Sequence, residues 1–99
     1  MNVRFTWDPN KAESNKRKHK IGFEQASRVF ADPSRLSEVD RIVDVEERWL
    51  TIGAIDDLRI VVVAHTVTDA ESIEIVRIIS ARKAERHERR RYEREEGDL

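Results

Sequence analysis

Glu74-Ile75-Val76-Arg77-Ile78-Ile79-Ser80-Ala81-Arg82-Lys83-Ala84 decides how the chain is read: a buried β-strand running straight into a basic helix. Ile73, Ile75, Arg77 and Ile79 fall on one face, and Glu74, Val76, Ile78 and Ser80 on the other, as a period of two requires. Ser80 is the expected N-cap, because its hydroxyl can accept a bond from a free amide of the first turn. Arg82 then belongs to that turn, where the helix end already favours an anion. A strand end, a helix start and an arginine together suit a phosphate. An ordinary joint with a surface arginine fits the same residues.

Working back to the N-terminus, Val3–Trp7 alternates apolar and polar residues and reads as a first strand. Asp8-Pro9 supplies a helix N-cap and a proline at the first helical position. The helix from Pro9 to about His19 is polar nearly all round and is expected on the surface. Phe23, Ala26, Val29 and Phe30 recur at helical spacing and predict a second helix, closed by Asp32-Pro33.

Val39–Val45 and Glu47–Ile55 follow as strands, with Arg48, Leu50, Ile52 and Ala54 sharing one face of the second. Asp56-Asp57 is a turn, and Leu58–Ala64 is a continuous apolar run suited to a central strand. His65-Thr66 ends that strand, and Val67–Ser72 is a polar turn. The order β-α-α-β-β-β-β-α predicts an α+β domain over 1–95, a small antiparallel sheet with its helices on one side. Residues 96–99 are expected to fray.

The bulk composition narrows the function. At 38% hydrophobic and 39% charged, the 99 residues make one domain with a heavily charged surface. The absence of cysteine excludes a disulfide scaffold, a thiolate metal site and a thiol nucleophile. Neither a signal peptide nor an apolar run of membrane-spanning length is present, so a cytoplasmic protein is expected. The net charge of −1 hides a segregation: residues 9–20 and 82–94 are basic, and residues 32–57 are acidic. Two basic segments that converge in space would present a polyanion site.

Of the three histidines, His65 is the best placed for proton transfer, at the rim of the central strand. His19 ends the lysine-rich helix and His87 sits among arginines and glutamates. No metal-ligand spacing exists, so neither a metal nor a cofactor is expected. Arg48 and Arg77 have largely apolar neighbours two residues away, and a buried guanidinium needs a carboxylate, a groove or a ligand. Ion pairs with Glu46, Glu47 or Glu74 would meet that need without any function. On the last helix Glu85–Arg89, Arg89–Glu93 and Arg91–Glu95 have the spacing of surface pairs.

Trp7-Asp8-Pro9-Asn10-Lys11, Lys18-His19-Lys20-Ile21, Phe23-Glu24-Gln25-Ala26 and Val29-Phe30-Ala31-Asp32-Pro33 resemble the N-terminal half of the BrnT toxins. Glu47-Arg48, Ile52-Gly53, His65-Thr66 and Arg77-Ile78-Ile79-Ser80-Ala81-Arg82-Lys83-Ala84 continue the resemblance, as do Glu88-Arg89 and Tyr92-Glu93. It implies the toxin half of a type II toxin–antitoxin pair with a RelE-like fold. The implied activity is a metal-independent ribonuclease that arrests translation. The implied partners are an RNA substrate, a BrnA-type antitoxin and, only within the complex, promoter DNA. For 2′-OH attack on the adjacent phosphate, Arg82 and Arg77 are the expected phosphate ligands, with Arg48 supporting and His65 as acid or base. Lys18, His19, Lys83 and Arg86 are the expected RNA-binding side chains. The rival reading is a non-catalytic module that docks an antitoxin and helps clamp nucleic acid.

Overall fold

In the computed structural model, residues 2–56 and 58–97 are described, with side chains as far as Arg94. The elements are β1 (Asn2–Thr6), α1 (Pro9–His19), α2 (Phe23–Ser27), β2 (Leu36–Val43), β3 (Glu46–Ala54), β4 (Ile60–Ala70), β5 (Ile73–Lys83) and α3 (Arg86–Gly97). A 3₁₀ turn over Arg28–Ala31 extends α2, so the expected second helix tightens in its last turn. The order is the predicted β-α-α-β-β-β-β-α. One five-stranded sheet runs β1-β5-β4-β3-β2, and β2 to β5 form the predicted antiparallel meander. β1 joins the edge parallel to β5, which makes the sheet mixed.

Two hairpin turns lack glycine. Asp44-Val45 and Glu71-Ser72 all carry positive φ, as a two-residue turn between twisted strands requires. The expected polar turn over 67–72 is therefore shorter, because β4 continues to Ala70. Asp57 of the other expected turn lies outside the described residues.

Strand parity sorts the side chains onto two faces. On the first, Val61, Val63, Val76, Ile78 and Ala81 meet Ile21, Phe23, Ala26 and Val29 under α1 and α2. On the second, Ile52 and Val62 meet Ala84 and Tyr92 of the C-terminal segment. The helices are thus on one side for α1 and α2, while α3 docks on the other through Tyr92.

The polar α1 is anchored by one buried side chain. Past Arg77, β5 has no β1 residue to pair with. Asn15 covers that open edge: its Nδ2 donates to the Ala81 carbonyl (2.9 Å) and its Oδ1 accepts from the Ala81 amide (3.1 Å). The carboxamide presents a donor and an acceptor side by side, so it substitutes for a strand neighbour, while Nδ2 also donates to the Ile21 carbonyl (3.2 Å). Asp8 caps the helix start by accepting from the Asn10 amide (2.8 Å).

The decisive joint falls later than its sequence indicates. Ser80 is not a helix cap, and Arg82 is a strand residue: Ser80, Ala81, Arg82 and Lys83 pair with Ala64, Val63, Val62 and Val61. Pairing with β4 on one edge and Asn15 on the other outweighs the local capping signal. The capping role passes to Glu88, whose Oε1 accepts from the Glu85 amide (2.8 Å) just before α3. α3 continues to Gly97, within the segment expected to fray, of which residues 98 and 99 lie outside the described residues.

Candidate nucleic-acid interface

The second face of the sheet carries the strand arginines. Arg77 stands opposite Thr66 and Arg82 opposite Val62, and Arg48 precedes Trp49, the partner of His65. Parity puts all three on the face that α3 partly covers. Arg77 and Arg48 converge on one carboxylate. Arg77 Nη2 donates to Glu46 Oε1 (2.8 Å), and Arg48 Nε lies 3.5 Å from the same oxygen. That Nε is shut off from solvent and makes no hydrogen bond. Glu46 is thus the partner for both, one of the three carboxylates weighed from the sequence.

Arg82 is held differently. Its two terminal nitrogens donate to both oxygens of Glu88 (2.7 and 2.9 Å). This bidentate bond raises the Arg82 pKa further and holds Glu88 below the usual carboxylate range. Arg82 and Arg77 are five residues apart on β5, about 16 Å at the strand rise. Each is bonded to its own carboxylate, Arg77 to Glu46 and Arg82 to Glu88. They can engage successive phosphates of one strand.

Arg91 continues the pattern by a bidentate bond to Glu38 of β2 (2.7 and 2.9 Å), which draws the Glu38 carboxyl down. The expected Arg91–Glu95 pair involves a side chain outside those described. α3 is therefore clasped by arginine–carboxylate bonds to β5 through Glu88 and to β2 through Arg91. Its fixed point is Asp32, whose Oδ2 accepts from Tyr92 Oη (2.6 Å) and the Ala54 amide (2.8 Å) and whose Oδ1 accepts from the Ser34 amide (2.9 Å).

His65 is on the opposite face. It sits mid-strand at 2% exposure, because β4 runs five residues past it instead of ending there. Its Nε2 bonds Thr51 Oγ1 (2.7 Å), which bonds Ser37 Oγ (2.7 Å), a chain across three strands. Phe30 stacks on it edge to face at 4.8 Å. Burial pushes the imidazole down to about 4, against a weaker upward pull from the Thr66 backbone, and Nδ1 has no partner at hydrogen-bond geometry. The sheet itself separates His65 from the arginines, so the structure does not bring the expected acid or base to the expected phosphate ligands.

Lys18 is exposed near the C-terminal end of α1 with His19 half-buried beside it, and Lys83 and Arg86 are exposed around the β5–α3 joint. Among the described residues no cluster of histidines and carboxylates could hold a metal ion, and no helix is long and apolar enough to cross a membrane. Glu46, Glu88 and Asp32 organise the face. Only the Glu46 pairing was legible beforehand, because the other two bonds depend on where α3 docks.

A family model described as "Ribonuclease toxin, BrnT, of type II toxin-antitoxin system" matches residues 7–88. The fold is similar to that of the 1.1 Å crystal structure of the Brucella abortus ribonuclease toxin, BrnT. The TM-score is 0.61 at 23% identity, over 87% of this chain and 100% of that one. No curated protein matches. The family match spans most of the chain, including every strand arginine described above, and so the chain belongs to the BrnT family, the ribonuclease toxins of type II toxin–antitoxin systems, whose members have an antitoxin partner.

Proposed function

We propose that this protein cleaves RNA without a metal, by attack of a ribose 2′-OH on the adjacent phosphate, at the Arg48–Glu46–Arg77 cluster. The observation that carries the reading is the convergence of two strand arginines on one carboxylate, with Arg48 Nε left unbonded. A phosphorane gains negative charge as it forms, and two planar guanidiniums can neutralise it where a metal otherwise would. The Glu46 carboxylate is the nearest base for the 2′-OH proton once RNA draws the arginines toward its phosphate. The P–O5′ bond then breaks, leaving a 2′,3′-cyclic phosphate, and the 5′-oxygen takes its proton from water. Arg82 binds a flanking phosphate, and Lys18, His19, Lys83 and Arg86 hold the strand by charge alone. His65 serves the fold on the other face.

A BrnA-type antitoxin neutralises the toxin, and the pair binds its promoter DNA chiefly through the antitoxin. The sequence supports that division. The chain has a net charge of −1, and three of its strand and helix arginines are already bonded to carboxylates, so its overall charge does not favour duplex DNA.

The test is RNA integrity and growth after induction of the wild type, Arg77→Ala, Arg82→Ala and Glu46→Gln at matched soluble levels, with cleavage repeated in EDTA. The reading expects arrest and EDTA-resistant cleavage from the wild type. It expects loss of about a hundredfold or more in Arg77→Ala and Glu46→Gln, and a smaller loss in Arg82→Ala. Full activity in Arg77→Ala moves the site elsewhere. Binding of RNA without cleavage returns the chain to the rival reading of a non-catalytic module.

A further inference from the structure

The first face carries a cleft that the arginine cluster does not use. It lies beyond the helical cover, has a volume of about 280 Å³, and is lined by Phe30, Arg35, Ser37, Trp49, His65, Val67, Glu74 and Val76. Its floor is apolar strand surface, its aromatic side chains are Phe30 and Trp49, and it holds one carboxylate and one guanidinium. Glu74 is half-buried there and makes no ion pair among the described residues. The floor is fixed from beneath: the Ser37–Thr51–His65 chain locks three strands, and His65 braces the Phe30 ring.

That set matches a flat heteroaromatic ring with polar edges. A cleft of this size is at the small end for ligand sites and suits a single base. Bases splayed from single-stranded RNA are held by stacking on aromatic side chains and by hydrogen bonds to their edges. A carboxylate takes two parallel donors best, and guanine alone among the four RNA bases presents two adjacent donors, N1–H and N2–H₂, on its Watson–Crick edge. Arg35 is exposed at the same cleft and suits the phosphate of that nucleotide.

We propose that this cleft is a guanine subsite, with Glu74 reading the base edge, Trp49 and Phe30 stacking on it, and Arg35 meeting its phosphate. It rests on the reading that RNA is the substrate, and it places sequence preference on the face opposite the proposed chemistry. A strand of RNA must then wrap the sheet edge at β2 to touch both.

The chain has two tryptophans, and Trp7 packs on Phe23 away from the cleft, so Trp7→Phe leaves Trp49 as the reporter. Titration of that protein with 5′-GMP, AMP, CMP and UMP at neutral pH, read by tryptophan fluorescence, tests the proposal. Saturable change with GMP is expected, with the other nucleotides at least about tenfold weaker. Glu74→Gln should weaken GMP about tenfold, and the exposed control Glu24→Gln should leave it unchanged. No saturable response to GMP, equal response to all four, or unchanged affinity in Glu74→Gln overturns it. Should Glu74→Gln fail to fold, the selectivity of the parent among the four nucleotides decides the matter. The readout needs no turnover: GMP binding that fails while RNA is still cleaved removes only the subsite, and cleavage lost while GMP binds removes only the arginine site.

Discussion

Tyr92 of α3 donates its hydroxyl to Asp32 Oδ2 at 2.6 Å, across sixty residues of sequence. Asp32 ends the 3₁₀ turn on the first face, and Tyr92 packs with Ile52 and Val62 on the second. The bond therefore ties the two layers together around the end of β3, where Ala54 gives its amide to the same oxygen.

Removing that tie should loosen α3 without emptying the core. Tyr92→Phe keeps the ring and deletes a hydrogen bond to a charged acceptor, a loss of about 2 kcal/mol. Urea unfolding should show the lower midpoint with an unchanged slope. An unchanged midpoint would mean that Asp32 is satisfied by its two backbone amides alone.

Acid should weaken the protein in two separate windows. The His65 imidazole, ordinarily near 6.5, is pushed by burial to about 4. Between those values the unfolded chain takes up a proton that the folded chain refuses. Stability is whole above 6.5 and falls as pH drops toward 4, by roughly 3 kcal/mol. Glu88, lowered chiefly by its bond to Arg82, acts only from about 4.5 downward. Burial pushes Asp32 up, but the Ala54 amide, the Tyr92 hydroxyl, the Ser34 amide and Arg35 together hold it down, so it too acts only in stronger acid. His65→Gln should flatten the upper window in unfolding curves between pH 7 and 4.5 and leave the lower one.

Gly53 admits no side chain. A Cβ there would stand 2.5 Å from Val29 Cγ2 and 3.2 Å from Asp32 Oδ2. Gly53→Ala should cost about 1–3 kcal/mol through overpacking, read as a lower thermal midpoint. By crowding Asp32 it should also weaken the Tyr92–Asp32 tie, seen as faster amide exchange in α3.

Val45 sits at φ 60° and is 98% exposed, a β-branched residue in the left-handed region with nothing to pack against. Val45→Gly should raise stability by about 1 kcal/mol. A lower stability would show that the valine restrains the unfolded chain more than it strains the turn.

Periodicity made the elements legible, since Val3–Trp7, the Pro9 helix and the apolar run into β4 each carry their own signal. The parallel seat of β1 has no such signal, because a period of two does not tell one neighbour from another. The β5–α3 joint was misplaced because Ser80 is a sound cap locally, and only the pairing with β4 and Asn15 makes it a strand residue. Arg48 and Arg77 were recognisable as guanidiniums in need of partners. His65 was recognisable as a special residue, and it shares the face of Val61 and Val63 by alternation along β4. What alternation alone hides is that Arg77 and Arg82, five residues apart, share the other face, because a bulge in β5 opposite Ala64 and His65 shifts the register.

The parallel pairing of β1 with β5 also orders events in time. Residues 2–6 wait for residues 73–77 before they have a neighbour, the longest loop closure in the chain. Arg77 lies at the end of that ladder, opposite Thr6. The Arg77–Glu46 bond thus joins β5 to β3 from the strand that also seats β1, so a chain lacking β5 has neither its first strand paired nor its arginine cluster assembled.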